Sequence, residues 1–375
     1  MANMENLIIL TFVYIIGVTD MKKVCIVTIC NGSNFGNRLQ NYALQETIRL
    51  HIGSDVVTAK NIAGELLGPK NIVYKIMQNN FFEKVIFRLI KHPKIRKKIK
   101  FNQFNQRFIL WADDVIDGEN IPDDFAAKYD YFVTGSDQVW NLEIPFISSF
   151  EFLCFAPDSK KIAYAASFGM SEFSSDKQRI INERLQGFKH ISVRENSALQ
   201  ILNNAGIKDA KVLVDPTLLL SANQWYEIEK VPEFEVTDKQ YILVYILEED
   251  KTEIMASAEQ LARNNKWKII DIYDKSNYMH YGIGPSEFVY LIHHAAYVFT
   301  NSFHATVFSI LFHKPISVFR REGLNSRIMT LLEMLEIDNC ISSKKMKDVD
   351  WNKVDIAVDE KKKEAIYFLK SLIRN

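Results

Sequence analysis

The feature that most constrains the fold is a regular alternation of short, apolar, β-rich segments with segments of helical periodicity. The apolar segment 24–30 leads into a polar loop rich in asparagine and glycine, and a helix follows that loop. The same order of strand, loop and helix recurs after 131–134, 162–166 and 190–193. Strands that alternate with helices in this way pair in parallel and are covered by helices on both faces. The sequence therefore predicts an α/β fold built on parallel sheets.

Length and linker composition predict two domains. The chain has 375 residues, beyond the roughly 250–300 at which a single core usually divides. The alternation pauses over 221–238, which is polar and acidic, and resumes with the strand 241–247. We therefore expect an N-terminal α/β domain over 21–222 and a C-terminal one over 239–375, facing a cleft. Ligands of open parallel sheets bind beyond the carboxyl ends of the strands, so the polar loops there form the candidate site.

The first 20 residues stand apart from this pattern. The apolar run 7–18 is shorter than the roughly 17–25 residues of a membrane-spanning helix. No Lys or Arg precedes it, which is not typical of a signal peptide. Met21 then opens a typical first buried strand. We expect 1–20 to be an upstream extension, with a short membrane anchor as the alternative.

Charge and cysteine usage narrow the class of protein. The 46 basic and 46 acidic residues cancel, so no general attraction to nucleic acid or to an anionic membrane is predicted. The stretch 84–100 carries eight Lys or Arg residues. It is typical of a solvated helix face, and the alternative is peripheral contact with an anionic inner membrane. The cysteines form no CxxC pair and predict a reducing, cytoplasmic location: Cys25, Cys30, Cys154 and Cys340.

Two loops of the N-terminal half carry candidate substrate-binding residues. Arg38 lies in the first turn of a helix, where a cation is unfavourable unless a negative group is near; a solvated side chain is the alternative. The loop 135–141 follows a strand and contains Trp140, whose face could stack on a sugar ring. Its aspartate could instead cap a helix. The candidates from these loops are Asn34, Arg38, Ser136, Asp137 and Trp140.

Two further loops carry the candidate catalytic residues. Arg194 follows an apolar strand, where it could bind a phosphate or carboxylate or form a structural salt bridge. His304 falls in the first turn of a helix that Asn301 or Ser302 would cap. A titratable imidazole beside free backbone N–H groups can protonate one atom while an anion is held. We therefore predict catalytic roles for His304 and Arg194, with Asn301 and Ser302 in substrate binding.

Other motifs do not predict a site. Asp348 and Asp350 have the DxD spacing of metal-using glycosyltransferases, but their charged loop favours turn or cap roles, so no metal is predicted. The loop 31–37 is neither a GxGxxG nor a Walker motif, so nucleotide binding is not indicated. His293 and His294 have the position of helix-end residues.

The polar segments, taken in order, resemble the polysaccharide pyruvyl transferase family over 21–335. Each motif alone is weak, whereas the ordered set is specific. The matching segments are NFGNRLQNYALQ (34–45), GSDQVW (135–140), YAASFG (164–169), SVRE (192–195), DPTLL (215–219) and SFHA (302–305).

The resemblance implies two Rossmann-like domains, as in B-type glycosyltransferases, and a specific reaction. Pyruvate would move from phosphoenolpyruvate onto two sugar hydroxyls of a capsular or exopolysaccharide precursor as a cyclic ketal, with no cofactor. The acceptor would be a sugar or a lipid-linked oligosaccharide at the inner membrane face. His304 would be the general acid/base, and Arg194 with helix N-termini would hold the anionic donor.

One departure from the family pattern concerns the donor. Family members often have Arg two residues before the histidine, where this chain has Ser302. The positive charge must then come from elsewhere, and the candidates are Arg38, Lys314, Arg320, Arg321 and Arg327. Of these, Arg38 and Arg327 are predicted substrate-binding residues. A nucleotide-sugar glycosyltransferase of the same architecture and a sugar-binding subunit without catalysis are the alternatives.

Overall fold

The computed structural model describes residues 21–63, 92–248, 250–320, 326–337 and 349–373. The predictions for 1–20, for 84–91 and for Asp348 lie outside these residues. Within them, no helix is long and apolar enough to cross a membrane.

The N-terminal half is a seven-stranded parallel sheet with helices around it. Its strand order is β3-β2-β1-β4-β5-β6-β7. The strands are β1 Lys23–Val27, β2 Asp55–Asn61, β3 Trp111–Ile116, β4 Tyr131–Thr134, β5 Lys161–Ala166, β6 Ile191–Val193 and β7 Lys211–Val212. The helices are α1 Phe35–Thr47, α2 Pro93–Phe108, α3 Ser175–Arg184, α4 Asn196–Asn204 and α5 Ala222–Tyr226. A π-helical turn, Ile48–Ile52, follows α1, and short 3₁₀ turns lie at Phe125–Ala127, Asp158–Lys160 and Pro216–Leu219.

The C-terminal half is a four-stranded parallel sheet with the order β11-β10-β8-β9. Its strands are β8 Tyr241–Tyr245, β9 Lys268–Asp271, β10 Tyr297–Thr300 and β11 Ile316–Val318. Its helices are α6 Thr252–Asn265, α7 Tyr278–Tyr281, α8 Pro285–His293, α9 Phe303–Leu311 and α10 Ser326–Met334. The long helix α11, Trp351–Ile373, ends the described chain.

The strands form where the sequence is apolar on both faces. In β8 all five residues are buried, as expected for a parallel strand covered by helices on both sides. Two of the helices that follow strands, α1 and α9, begin at side-chain caps: Asn34 accepts from the Gly36 N–H, and Ser302 accepts from the Ala305 N–H. The prediction of an α/β fold with parallel sheets is confirmed.

The two halves share part of their core, and the chain returns to the first half at its end. Phe35 of α1 stacks on Phe288 of α8 with ring centroids 4.5 Å apart. The apolar stripe of α11 is buried in the same cluster as N-terminal core residues, and Phe368 lies near Tyr164 at 6.5 Å between ring centroids. The helix α11, which lies within the range predicted for the C-terminal domain (239–375), thus packs on the N-terminal half.

Candidate active site

A pocket lies where the amino-terminal ends of three helices meet. Asn34 and the first turn of α1, Ser302 and the first turn of α9, and the start of α10 all line it. The pocket contains about 540 Å³ of empty space, its mouth included. Helix amino-terminal ends carry partial positive charge and unpaired backbone N–H groups, so three of them together favour an anionic ligand. Residues of both halves form the wall.

His304 lies in the pocket wall and is paired with a carboxylate from the other half. Its Nε2 lies 3.7 Å from Asp215 Oδ2, too far for a good hydrogen bond but close enough for strong charge attraction in a buried site. The ring lies directly against Gly36, where a Cβ atom would come within 1.9 Å of Nδ1. Because Nε2 faces Asp215, Nδ1 is the nitrogen left for proton exchange with a ligand.

Asp215 is held in place by several donors. Thr217 donates to Oδ1 from its backbone N–H and its hydroxyl, at 2.9 and 2.6 Å. Arg194 Nη1 and Ser136 Oγ donate to Oδ2, at 2.7 and 3.1 Å. Burial alone would raise the pKa of Asp215, but His304 and Arg194 outweigh it and hold the pKa well below its usual range. The carboxylate therefore stays charged beside the His304 ring.

Arg194 is the centre of a buried charge network. Its side chain is 1% exposed, and its Nη2 donates to Asp137 Oδ1 at 3.0 Å. Its guanidinium also lies 4.4 Å from the centre of the Phe303 ring. Burial opposes the charge, yet the surrounding carboxylates raise the pKa of Arg194 above its ordinary value. The guanidinium therefore joins Asp137 and Asp215 rather than facing the pocket.

Asp137 connects this network to the pocket. Arg327 of α10 donates to the same Oδ1 atom from Nη1 at 3.3 Å. Burial favours the neutral acid, but Arg194, His304 and Arg327 lower the pKa of Asp137. Asp137 and Arg327 both line the pocket, so a cation stands at the wall in spite of Ser302 two residues before His304.

Asn301 supplies a further donor. Its Oδ1 accepts a hydrogen bond from the Leu247 N–H at 2.8 Å. This bond fixes the side-chain amide, and its Nδ2 is buried without a hydrogen-bond partner in the described part of the chain. A buried donor of this kind is costly unless a ligand accepts from it.

The structure brings most of the predicted site residues together, on the wall of one pocket. Those that line it are Asn34, Asp137, Asn301, Ser302, His304 and Arg327. Four others lie behind the wall or away from it: Arg38, Ser136, Trp140 and Arg194.

Two of these four support the site from behind. Arg194 was predicted to bind the donor, but its guanidinium is occupied by carboxylates, so its role becomes that of a positioning residue. Ser136 is fully buried; its hydroxyl donates to Asp215 and its N–H to Gln40 Oε1 at 3.0 Å.

The predicted roles of Trp140 and Arg38 are corrected. Trp140 is fully buried and packs against Phe152 and Phe168, so no face is open to a sugar. Its Nε1 donates to the Glu151 carbonyl at 3.2 Å. Arg38 is buried and donates to the carbonyls of Cys30 and Gly32, which fixes the loop before α1.

The basic stretch faces the protein over much of its described part. Lys100 forms salt bridges with Glu233 and Glu287, and Arg96 pairs with Glu233 at 2.5 Å. Lys97 is 6% exposed, and its Nζ lies 4.3 Å from the centre of the Phe35 ring. These three residues connect α2 to the rest of the molecule. The described part of the stretch, 92–100, is therefore neither fully solvated nor wholly available to a membrane. Of the basic residues in 92–100, Lys94 and Lys98 are exposed.

Sequence reasoning assigned no role to Asp215, Gly36 or Glu195. Asp215 opens a DPT segment just after a strand, a position that could have marked it as a site carboxylate. Glu195 accepts from Ser167 and from the Phe168 N–H, at 2.9 and 3.0 Å, and supports the turn after β5. No sequence signal places Gly36 against His304, because that contact joins the two halves.

A comparison with models of protein families agrees with the motifs. The model of the family described as polysaccharide pyruvyl transferase matches residues 34–322. The chain belongs to this family of transferases in polysaccharide biosynthesis, and the resemblance predicted from its motifs is confirmed. No curated protein shows significant sequence similarity to the chain.

Three solved structures illustrate the similarity of this chain to known proteins. UDP-GlcNAc 2-epimerase from Neisseria meningitidis is similar at 12% identity and a TM-score of 0.49, over 94% of each chain. The corresponding enzyme from Rickettsia bellii is 12% identical, with a TM-score of 0.43 over 94% of this chain and 97% of that one. HepE from Anabaena, in complex with UDP and glucose, is 10% identical, with a TM-score of 0.44 over 94% and 98%. The described chain itself has two parallel α/β halves, and residues of both line the pocket.

Proposed function

We propose that this protein transfers pyruvate from phosphoenolpyruvate to two hydroxyls of one sugar, forming a cyclic ketal and releasing phosphate. The observation that carries the proposal is the His304–Asp215 pair in the wall of a pocket where three helix amino-terminal ends meet. The imidazole would supply a proton, and the helix ends would favour the phosphate and carboxylate of the donor.

The chemistry requires a proton at one carbon and stabilisation of the charge that follows. Protonated His304 would donate from Nδ1 to C3 of the enol, which leaves an oxocarbenium-like C2. A sugar hydroxyl attacks C2, the bond from C2 to the phosphate oxygen breaks, and a second hydroxyl closes the ring. One hydroxyl proton thus returns to His304 in place of the proton given to C3, and the other leaves with phosphate. Every step is an acid–base or displacement step, so the proposed transfer uses no cofactor.

The residues divide into those that would touch substrate and those that would position them. His304 is the proposed catalytic residue, and Asp215 would orient its ring. Arg327, Asn301, Ser302 and Asn34 would bind the donor from the pocket wall. Arg194 would act through the carboxylates of Asp215 and Asp137.

The direct test is incubation of the protein with phosphoenolpyruvate and sugar acceptors in D₂O. We expect phosphate release, a product heavier by one pyruvate less water, and deuterium in the new methyl group. His304→Ala should lower turnover by ~10²–10⁴-fold, the usual range for a general acid/base. Turnover of a nucleotide-sugar in place of phosphoenolpyruvate would overturn the proposal. An unchanged polysaccharide product in cells that carry His304→Ala would favour a subunit without catalysis.

We also propose that the acceptor is a sugar of a capsular or exopolysaccharide precursor, carried on a lipid at the cytoplasmic face of the inner membrane. Family membership supports the polysaccharide precursor, and the exposed Lys94 and Lys98 offer charge for weak membrane contact. Sedimentation with anionic vesicles tests the contact, which Lys94→Glu with Lys98→Glu should weaken. Equal binding to neutral and anionic vesicles would contradict it.

A further inference from the structure

Three side chains that could share a metal ion lie where the chain passes between the two halves. Glu229 belongs to the connection after α5, and His293 and His294 stand at the carboxyl end of α8. One ligand atom of each lies within 4.8 Å of the other two. His293 Nδ1 is 2.7 Å from Glu229 Oε1, and His294 Nε2 is 3.5 Å from Glu229 Oε2. None of the three lines the pocket described above.

The hydrogen bonds of His294 leave one nitrogen facing another acceptor. Asp238 Oδ1 lies 2.9 Å from His294 Nδ1. A carboxylate only accepts, so Nδ1 carries the hydrogen, and in the neutral ring Nε2 then has a lone pair. That lone pair faces Glu229 Oε2, and a cation between the two would satisfy both. In protein metal sites, a histidine ligand commonly donates its other ring N–H to a carboxylate, which fixes its tautomer. Asp238 is placed to do this for His294.

Both imidazoles are held by aromatic rings. Tyr226 stacks on His293 with ring centroids 4.1 Å apart, and Tyr290 stacks on His294 at the same distance. The side chains of Glu229, His293 and His294 are 12%, 26% and 25% exposed, so an ion could reach them from solvent. Ligands that are fixed before binding lose little freedom when the metal enters.

We propose that Glu229, His293 and His294 bind one divalent transition-metal ion, Zn²⁺ being favoured, with Asp238 orienting His294. Two imidazole nitrogens and one carboxylate oxygen are a ligand set that Zn²⁺ takes, with water in the fourth position. Bonds of about 2.0–2.2 Å in a tetrahedron place ligand atoms roughly 3.3 Å apart, so small side-chain rotations suffice. The proposal replaces the expectation that the chain holds no metal and that these histidines only end a helix. The ion would tie the connection between the halves to α8.

The test uses the full chain without a polyhistidine tag, stripped of metal by a chelator and titrated with Zn²⁺ in a calorimeter. We expect one ion per chain and a rise in the melting temperature with added Zn²⁺. His293→Ala and His294→Ala should each weaken binding at least ~10-fold, and Asp238→Ala about 10–100-fold. His313→Ala is the matched control: this histidine also pairs with a carboxylate, Asp355 at 2.8 Å, and should bind as wild type does.

A measurement on the wild-type chain guards against variants that fold poorly. The Co²⁺-loaded protein should show the visible absorption of a tetrahedral site, and X-ray absorption of the Zn²⁺ form should show two imidazole nitrogens with oxygen ligands. The proposal fails if the stripped wild-type chain binds no ion saturably, if thiolate ligands are seen, or if both histidine variants bind unchanged.

Discussion

Replacing Gly36 by alanine should move the imidazole of His304 without removing any functional group. Gly36 is the second residue of α1, and its Cα touches the ring of His304. An added Cβ would come within 1.9 Å of Nδ1, 2.3 Å of Cε1 and 2.6 Å of Cγ. Because a Cβ atom normally keeps at least 3.4 Å from its neighbours, the ring must move by about 1.5 Å, the difference from 1.9 Å, if the backbone stays in place.

The expected loss follows from this displacement. A misplacement of about 1 Å at a reacting group can cost roughly 10²-fold in rate. Gly36→Ala should therefore lower kcat by ~10²-fold or more, although His304 and Asp215 are both present. Alanine favours a helix over glycine by about 0.5–1 kcal/mol, so any loss of stability must come from the overlap with His304 and not from α1.

A double-mutant cycle separates the overlap from every other effect. Melting temperature and kcat for phosphate release are measured for Gly36→Ala, His304→Ala and the pair. In the His304→Ala background the added methyl group meets no imidazole, so it should leave stability unchanged or raise it. The two changes are then strongly non-additive, as expected for residues in contact. Wild-type kcat in Gly36→Ala, or additive effects in the pair, would refute the packing of His304 on Gly36.

Three further predictions concern residues behind the pocket wall. Because its folded pKa is depressed, Asp215 contributes stability that is present above pH ~4 and lost as the pH falls. In urea titrations from pH 3 to 7, Asp215→Asn should lower the free energy of unfolding by about 3–5 kcal/mol at pH 7, because Arg194 loses a buried partner. The variant should also make the free energy of unfolding less dependent on pH in the acid range. Trp140→Ala should cost about 3–5 kcal/mol in the same assay with an unchanged acceptor KM; a raised KM at full stability would restore the sugar-stacking role. Burial lowers the pKa of Lys97 to about 8, so the free energy of unfolding of the wild-type protein should rise between pH 8 and 10. Lys97→Met should abolish this rise. A rise that persists in Lys97→Met would contradict the assignment to Lys97.

The strands that sequence could predict are those whose apolar runs are bounded by turn residues. The segments 131–134, 162–166 and 241–247 agree with β4, β5 and β8 to within about two residues. The strands β2 and β3 were not predicted, because DVVTAKN and WADDVI mix polar and apolar residues near an edge of the sheet. The return of α11 to the first half could not be predicted either, since helical periodicity shows that a face is buried but not what covers it.

The candidate site shows the same division between local and long-range information. His304 and Asn301 were recognisable because a polar turn at a strand's carboxyl end is a local pattern. Whether an arginine in such a turn faces ligand or protein depends on what lies opposite it. For Arg194 those partners are Asp137 and Asp215, 57 and 21 residues away in the chain. A local pattern can therefore nominate a charged residue, but only the fold distinguishes a residue that binds a ligand from one that positions others.

The buried network bears on how the pocket could hold the proposed anionic donor. Arg194 balances one of the two negative charges of Asp137 and Asp215, and Arg327 also pairs with Asp137. The attraction for an anion then falls to Arg327 and to the three helix ends, whose partial charges are fixed in direction. Asp215 at the same time faces Nε2 of His304 and so helps to orient the imidazole in the pocket wall. The orientation of the imidazole and the charge of the wall would thus depend on the same carboxylate, and losing it should change both.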